Sequence, residues 1–305
     1  MKICAACSRE LPRENFSKKQ WQAKHRRRCK DCIAVNREVQ LEAPSNDNDG
    51  APLLSSADVE LERSCTDEDL FKESPPREEC HICMQTLPFD VEEHIYKSCC
   101  GKVMCYGCIY AFSREDNRRL CPFCRAPAHS SDKEWTESLK KRLRGDDALA
   151  TYMLGNYYCD GRYGLPQDHG KAMELWLRAG ELGCSEAYNN FGFAFDNGQG
   201  VERDTKKAKY YWELGAMGGD AVARYNLGIL EEEAGNMDRA MKHWMISACA
   251  GHDKSLKQIR ECYLDGDATK DDFEKALRAH KEAKDEMKSD QREAARAARL
   301  RDDNV

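Results

Sequence analysis

From about residue 133 onward, apolar positions recur at helical spacing, and the pattern then repeats as a block. Ala172, Ala208, Ala240 and Ala276 stand 36, 32 and 36 residues apart. Trp176, Trp212 and Trp244 each follow one of the first three by four residues, and His280 takes that place in the fourth block. Gly183, Gly219 and Gly251 follow the tryptophans by seven. Ahead of each block stands an apolar residue with glycine: Leu154 and Gly155, Phe191 and Gly192, Leu227 and Gly228. Ile259 and Arg260 fill that place in the last block. A periodic apolar stripe, a polar turn, a second stripe and a glycine stop predict a helical hairpin. Small residues at fixed places let two helices approach closely. The tryptophans then fill the space between successive pairs, so they are expected inside, as core.

Gly198, Gln199, Gly200 and Val201, with Asp204, Lys207, Ala208 and Trp212, carry a family likeness. The pattern resembles the Sel1-like repeat, a relative of the tetratricopeptide repeat, over residues 147–285. The resemblance implies an all-α solenoid of about four helical hairpins that binds partner proteins on its concave face. The fourth unit lacks both the glycine and the tryptophan, as expected of a terminal repeat that caps a stack. Residues 128–146 read as a linker with a helix. Residues 286–305, rich in Ala and charge, read as a charged helical tail in solvent.

The rest of the chain is built differently. The whole is 41% apolar and 33% charged, with a mean hydropathy of −0.80, polar for one globule of 305 residues. That balance suits two or three units joined by linkers. The net charge of −6 is unevenly spread: residues 1–40 are basic, and residues 41–79 are acidic. The acidic stretch, poor in aromatics and rich in Ser, Pro, Asn and Asp, is expected to be a disordered linker. No apolar run reaches spanning length and no secretory signal is recognisable, so the chain is expected in cytoplasm or nucleus, off the membrane.

The 17 cysteines are the compositional outlier. Five CxxC pairs lie before residue 125, and an odd total with this spacing argues for thiolate metal ligands rather than disulfides. A thiolate pair two residues apart offers two sulfurs to one zinc, and two such pairs complete a tetrahedral site. Cys80, Cys83, Cys105, Cys108, Cys121 and Cys124, the last followed by Arg125, resemble a RING domain over residues 80–127.

The RING resemblance implies two interleaved zinc sites. Cys80 and Cys83 would share one ion with Cys105 and Cys108, and Cys121 and Cys124 would belong to the other. Lys102 stands where this family usually places a histidine, and an ammonium group cannot ligate. The second pair is therefore Cys99 with Cys100 in an all-cysteine version, or one of these with His94; His81 is a further candidate. The resemblance also implies ubiquitin transfer without a covalent catalytic residue. Ile82 and Pro122 would touch a ubiquitin-charged E2, and Arg125 would be the cation bridging E2 and ubiquitin.

Cys4, Cys7, Cys29 and Cys32 bracket Phe16, Trp21 and the basic run Lys24, His25, Arg26, Arg27, Arg28. This segment resembles the Stc-one zinc finger and implies a third zinc in a treble-clef-like fold. Clustered cations with aromatics suit nucleic acid. A 35-residue finger also needs those rings as its core, and that reading is preferred. The sequence thus predicts two zinc-stabilised α+β modules followed by a helical-repeat solenoid, and a RING-type ubiquitin ligase whose repeats bind substrate. The alternative is a non-catalytic zinc-binding adaptor.

Overall fold

The computed structural model describes residues 2–3, 10–11, 65–88, 93–115 and 120–302. The chain divides into two units, 1–58 and 59–305. In the first, β1 (Lys2–Ile3) and β2 (Glu10–Leu11) pair antiparallel, Lys2 opposite Leu11. Cys4, Cys7, Cys29, Cys32, Phe16, Trp21 and the basic run lie outside the described residues, as do residues 41–64 of the acidic stretch.

The second unit begins with a single helical turn, α1 (Asp67–Leu70). A cysteine-bearing module follows, made of β3 (His94–Lys97), β4 (Lys102–Cys105) and α2 (Tyr106–Glu115). The two strands pair antiparallel, with His94 opposite Cys105. Then come α3 (Asp132–Leu143), α4 (Ala148–Asp160), α5 (His169–Glu181), α6 (Ser185–Asn197) and α7 (Thr205–Met217). The series continues with α8 (Ala221–Glu233), α9 (Met237–Cys249), α10 (Asp253–Asp265), α11 (Lys270–Glu286) and α12 (Asp290–Asp302). No described helix is long and apolar enough to cross a membrane.

The helices α4 to α11 form four antiparallel hairpins at the places the repeat predicts. Aspartates start many of them. Asp147, Asp168, Asp204 and Asp220 accept from backbone N–H groups in the first turns of α4, α5, α7 and α8. Such a cap satisfies donors that the helix itself leaves open.

The glycine and tryptophan positions are one device. A Cβ at Gly155 would lie 2.7 Å from Trp176, and one at Gly192 would lie 2.7 Å from Trp212. At Gly228 the clash with Trp244 would be closer still, 2.2 Å. Each indole brings its Cδ1–Nε1 edge onto the preceding helix only because that helix has no side chain there. Ala172, Ala208, Ala240 and Ala276 are wholly buried, and the three tryptophans at most 5% exposed. The last hairpin loses both partners together. Arg260 replaces the glycine, and His280 replaces the tryptophan and bonds Asp253 at 2.9 Å. Without an indole to receive, the bare backbone position is no longer required.

Two segments depart from expectation. Within the acidic stretch read as disordered, residues 65–79 follow a defined course along the repeat array. Leu70 is buried, and Arg77 donates to the Ala250 carbonyl at 3.1 Å. The acidic composition predicts solvation on average, but two adjacent apolar residues, Leu70 and Phe71, find cover. The charged tail also differs from the solvated helix expected. Helix α12 packs on α2, where Gly107 leaves room for the Arg292 backbone. Arg292 is 6% exposed and donates to the carbonyls of Thr86 and Met287 at 2.8 and 2.6 Å.

Candidate metal centre

Eight cysteines of the second unit fall into two groups of four. Cys80, Cys83, Cys105 and Cys108 form one, and Cys99, Cys100, Cys121 and Cys124 the other, with the sulfurs of each group within 4.8 Å of one another. The two groups interleave along the chain. Cys99 stands in the second group, and His94 and His81 in neither. His81 Nδ1 lies 3.0 Å from the Val103 carbonyl, a backbone contact. Lys102 sets its ammonium group over the Phe123 ring, 5.6 Å from the centroid.

Both groups are built from the same hairpin. In the first, Met84 N–H donates to the Cys80 carbonyl at 2.9 Å, and Cys80 N–H to Gln85 at 2.9 Å. In the second, Arg125 N–H donates to the Cys121 carbonyl at 2.9 Å, and Cys121 N–H to Ala126 at 2.7 Å. Paired bridges, Glu79 with Thr86 and Leu120 with Pro127, close each hairpin. Met84 and Arg125, one step past the second cysteine, share a left-handed backbone with φ of 56° and 61°. That turn is what brings two sulfurs of a CxxC pair to the same side.

The sulfur spacing fits a tetrahedral metal. With a Zn–S distance of about 2.3 Å, the edge of a sulfur tetrahedron is about 3.8 Å. The observed contacts Cys80–Cys108, Cys83–Cys105 and Cys100–Cys121 are each 3.9 Å, and Cys99–Cys124 is 3.5 Å. A disulfide requires about 2.05 Å. The chemistry fits as well. Burial raises the Cys80 thiol, yet backbone N–H groups of Cys83, Cys105 and Ile82 outweigh it and bring its pKa to about 7. Cys121 is treated alike: burial opposes, Cys124 and Phe123 N–H groups prevail, and the value falls to about 7. Burial and then neighbouring thiols push Cys99 and Cys108 up. Four crowded thiolates repel one another without a cation at their centre, and a divalent ion removes that penalty.

The remaining predicted residues stand on the module surface. Ile82 is 41% exposed and Arg125 is exposed, its guanidinium 4.9 Å from the Phe112 ring centroid. Pro122 lines an open cleft of about 630 Å³ together with Ile109, Phe112, Pro127, His129 and Trp135. Sequence reasoning missed Phe123 and Met84, apolar and 50% and 65% exposed at the tips of the two hairpins. Their positions inside and just after CxxC pairs were the available signal.

The module is joined to the array at both ends. Tyr96 donates to Asp147 at 2.8 Å, and Arg142 donates to the Ser98 carbonyl at 2.9 Å. Arg292 reaches the first sulfur group from the far end of the chain, 3.7 Å from the Cys83 sulfur.

Comparison with known proteins bears on the helical part. A family model for the Sel1 repeat matches residues 148–184, 185–220 and 261–278. Over 117 residues the chain is 27% identical to the ERAD-associated E3 ubiquitin-protein ligase component HRD3B of Arabidopsis thaliana, covering 38% of this chain and 18% of that protein. Over 76 residues it is 33% identical to the putative sel1-like repeat-containing protein L21 of Acanthamoeba polyphaga mimivirus, covering 25% and 14%. The chain thus spans less than a fifth of the length of these curated relatives. Among solved structures, a Sel1 repeat protein from Oxalobacter formigenes is 27% identical, with a TM-score of 0.45, over 50% of this chain and 64% of that one. The protective antigen c5321 of uropathogenic Escherichia coli, of SLR fold, is also 27% identical, with a TM-score of 0.43, over 50% and 33%.

Proposed function

We propose that this Sel1-repeat protein is a RING-type E3 ubiquitin ligase of the cytoplasm or nucleus, its cysteine module recruiting a charged E2 and its repeats holding the protein to be modified. Sel1 repeats serve protein–protein interaction, and the helical array supplies them. The observation that carries the ligase reading is the interleaving of two four-sulfur groups around one short helix, with Ile82, Pro122 and Arg125 on the surface. The name of HRD3B, a ligase component, supports it.

Cys80, Cys83, Cys105 and Cys108 would hold one zinc ion, and Cys99, Cys100, Cys121 and Cys124 a second. Cys4, Cys7, Cys29 and Cys32 would hold a third. Zinc with four protein ligands has no open position and supplies structural cross-linking. The chemistry then belongs to the partners and the protein contributes position. Ile82, Pro122 and the cleft beside Phe112 offer apolar contact to an E2. Arg125 offers a fork of donors suited to carbonyls on two partners at once. Holding a thioester in its reactive pose lowers the entropic part of the barrier without acid–base chemistry.

The test is discharge of ubiquitin from a panel of charged E2 enzymes to free lysine, at verified metal content. Arg125→Ala should slow discharge about tenfold while E2 binding persists, as expected for a lost charge-assisted contact of roughly 1.5–3 kcal/mol. Ile82→Ala should weaken E2 binding itself. A zinc-loaded protein that discharges no E2 would turn the reading to a non-catalytic scaffold.

A further inference from the structure

The segment 65–77 lies against α7, α8 and α9 in the manner of a bound peptide. Its one helical turn is far too short to be stable alone, so the array orders it. Thr66 caps the turn by accepting from Asp69 N–H at 3.2 Å. Leu70 is 1% exposed, and its carbonyl accepts from Arg224 Nη1 at 2.8 Å. Phe71 packs tilted against His243, with ring centroids 4.8 Å apart and planes at 44°. Arg239 and Lys242 set their cations over the same ring at 5.5 and 5.6 Å. Asp67 pairs with Arg239. Downstream, Pro75 lies where a Cβ at Gly219 would be 3.0 Å from it.

The lining of this groove is polar and charged. Arg224, Glu231 and His243 are at most 2% exposed beneath the segment. Arg224 Nε and both ring nitrogens of His243 are buried with no hydrogen-bond partner among the described residues. Unsatisfied buried donors cost free energy that water would return if the segment left. Glu231 is held by Lys209 at 2.7 Å and by Arg239 at 3.3 Å, the latter shared with Asp67, and a second buried carboxyl, Glu213, bonds the Cys65 thiol. The cations that remain face the occupant. A cover that leaves polar groups unpaired, over a groove where Arg224, Lys209, Arg239 and Lys242 outnumber Glu213 and Glu231, fits an exchangeable acidic ligand.

We infer that the face of α7, α8 and α9 is a recognition site for acidic peptides of the form Asp-x-x-Leu-Phe in a partner protein, and that residues 66–71 occupy it as an internal competitor. Asp67 meets Arg239, Leu70 is buried with its carbonyl on Arg224, and Phe71 takes the His243 ring and the two cations. The inference names the ligand class for the partner-binding array proposed above and rests on that reading. A tethered competitor acts at an effective concentration on the order of mM. A free peptide therefore meets a groove that is mostly closed, and its apparent affinity is reduced by the open fraction.

The experiment uses the full chain and an isotope-labelled fluorescent peptide of residues 65–76. Fluorescence anisotropy on wild type and on the double variant Leu70→Ser, Phe71→Ser should show at least tenfold tighter binding to the variant. Arg239→Glu in that background should abolish binding, and a peptide carrying Asp67→Lys should restore it. A folded variant, verified by its helical spectrum, that binds no tighter than wild type overturns the inference. Should the double variant not fold, hydrogen exchange on wild type decides. At mM peptide the protein's own residues 66–71 should lose protection, and unchanged protection overturns the inference. The two readings fail separately: a chain that discharges E2 yet ignores the peptide ends only this inference.

Discussion

The cysteine module and the repeat array solve the same problem in opposite ways. The module has few buried apolar side chains of its own, among them Leu87, Tyr96, Val103 and Met104, and its cysteine sulfurs gather in two groups of four. The array spreads its order over recurring contacts, each a tryptophan on a bare glycine backbone with a buried alanine beside it. A structure held at two points fails as a whole when one is lost. A structure held by neighbours loses stability in increments, each local to a repeat.

Chelation is the strongest way to break this contrast. Stripping the proposed zinc should unfold the module outright, seen as collapse of its amide spectrum, while the helical circular dichroism of the array largely persists. Loss of both together would mean that the array has no stability of its own. Trp244→Ala comes next. The side chain is fully buried among Ala240, Ala248, Ile259 and Ala276, and its removal should cost about 3–5 kcal/mol in denaturant unfolding. Zinc content should stay the same. Gly107→Ala probes the seam between the regions. A Cβ there would lie 2.8 Å from the Arg292 backbone nitrogen, so α12 must shift, at about 1–3 kcal/mol. Exchange protection in α12 should fall, with α4 to α9 unaffected.

The smallest expected effect is a pH dependence of the array. Burial, then the Arg224 and Arg239 charges, lower His243 to a pKa of about 3, with Glu231 opposing and Lys209 adding to the drop. Phe71 closes the remaining side. A depressed histidine pKa means that the folded state binds fewer protons than the unfolded one below about 6.5. Stability is therefore fully present above that pH and declines as pH falls toward 3. His252, lowered to about 4 by burial, adds a like loss, and Asp220, raised to about 7 by burial, opposes both. The His243 share is therefore read as the difference between wild type and His243→Phe, roughly 1 kcal/mol between pH 7.5 and 5.5. An acid limb unchanged in that variant would assign the loss elsewhere.

Much of this was legible because it is periodic. The hairpins follow from spacing alone, as do the buried alanines and the paired presence of glycine and indole. The joint absence of both at Arg260 and His280 was visible too, though its reason needed the 2.2–2.7 Å approaches of the intact repeats. The grouping of eight cysteines was expected from a resemblance, and the structure puts the Cys99 sulfur in one group with that of Cys100. What stayed hidden was docking. Leu70 and Phe71 sit in an acidic run, and Arg292 and Ala295 in a charged one, so averages over composition called both stretches solvated. Two apolar neighbours after a capping threonine suffice to anchor a segment, and one arginine with three carbonyls within reach suffices to bury a cation. Averages do not register such single contacts.

The grip of Arg292 on the module has a mechanical consequence. A stack of helical hairpins is a spring, since small hinge angles between neighbours add along its length. Here the spring begins at Asp147, fastened to Tyr96, and ends at α12, whose Arg292 is fastened to Thr86. Both ends are thus pinned to one small body, as a bow is to its string. The softest motion of the array, a change of curvature, must stretch that string. Whatever loosens the module should then unbend the array several repeats away, without touching it.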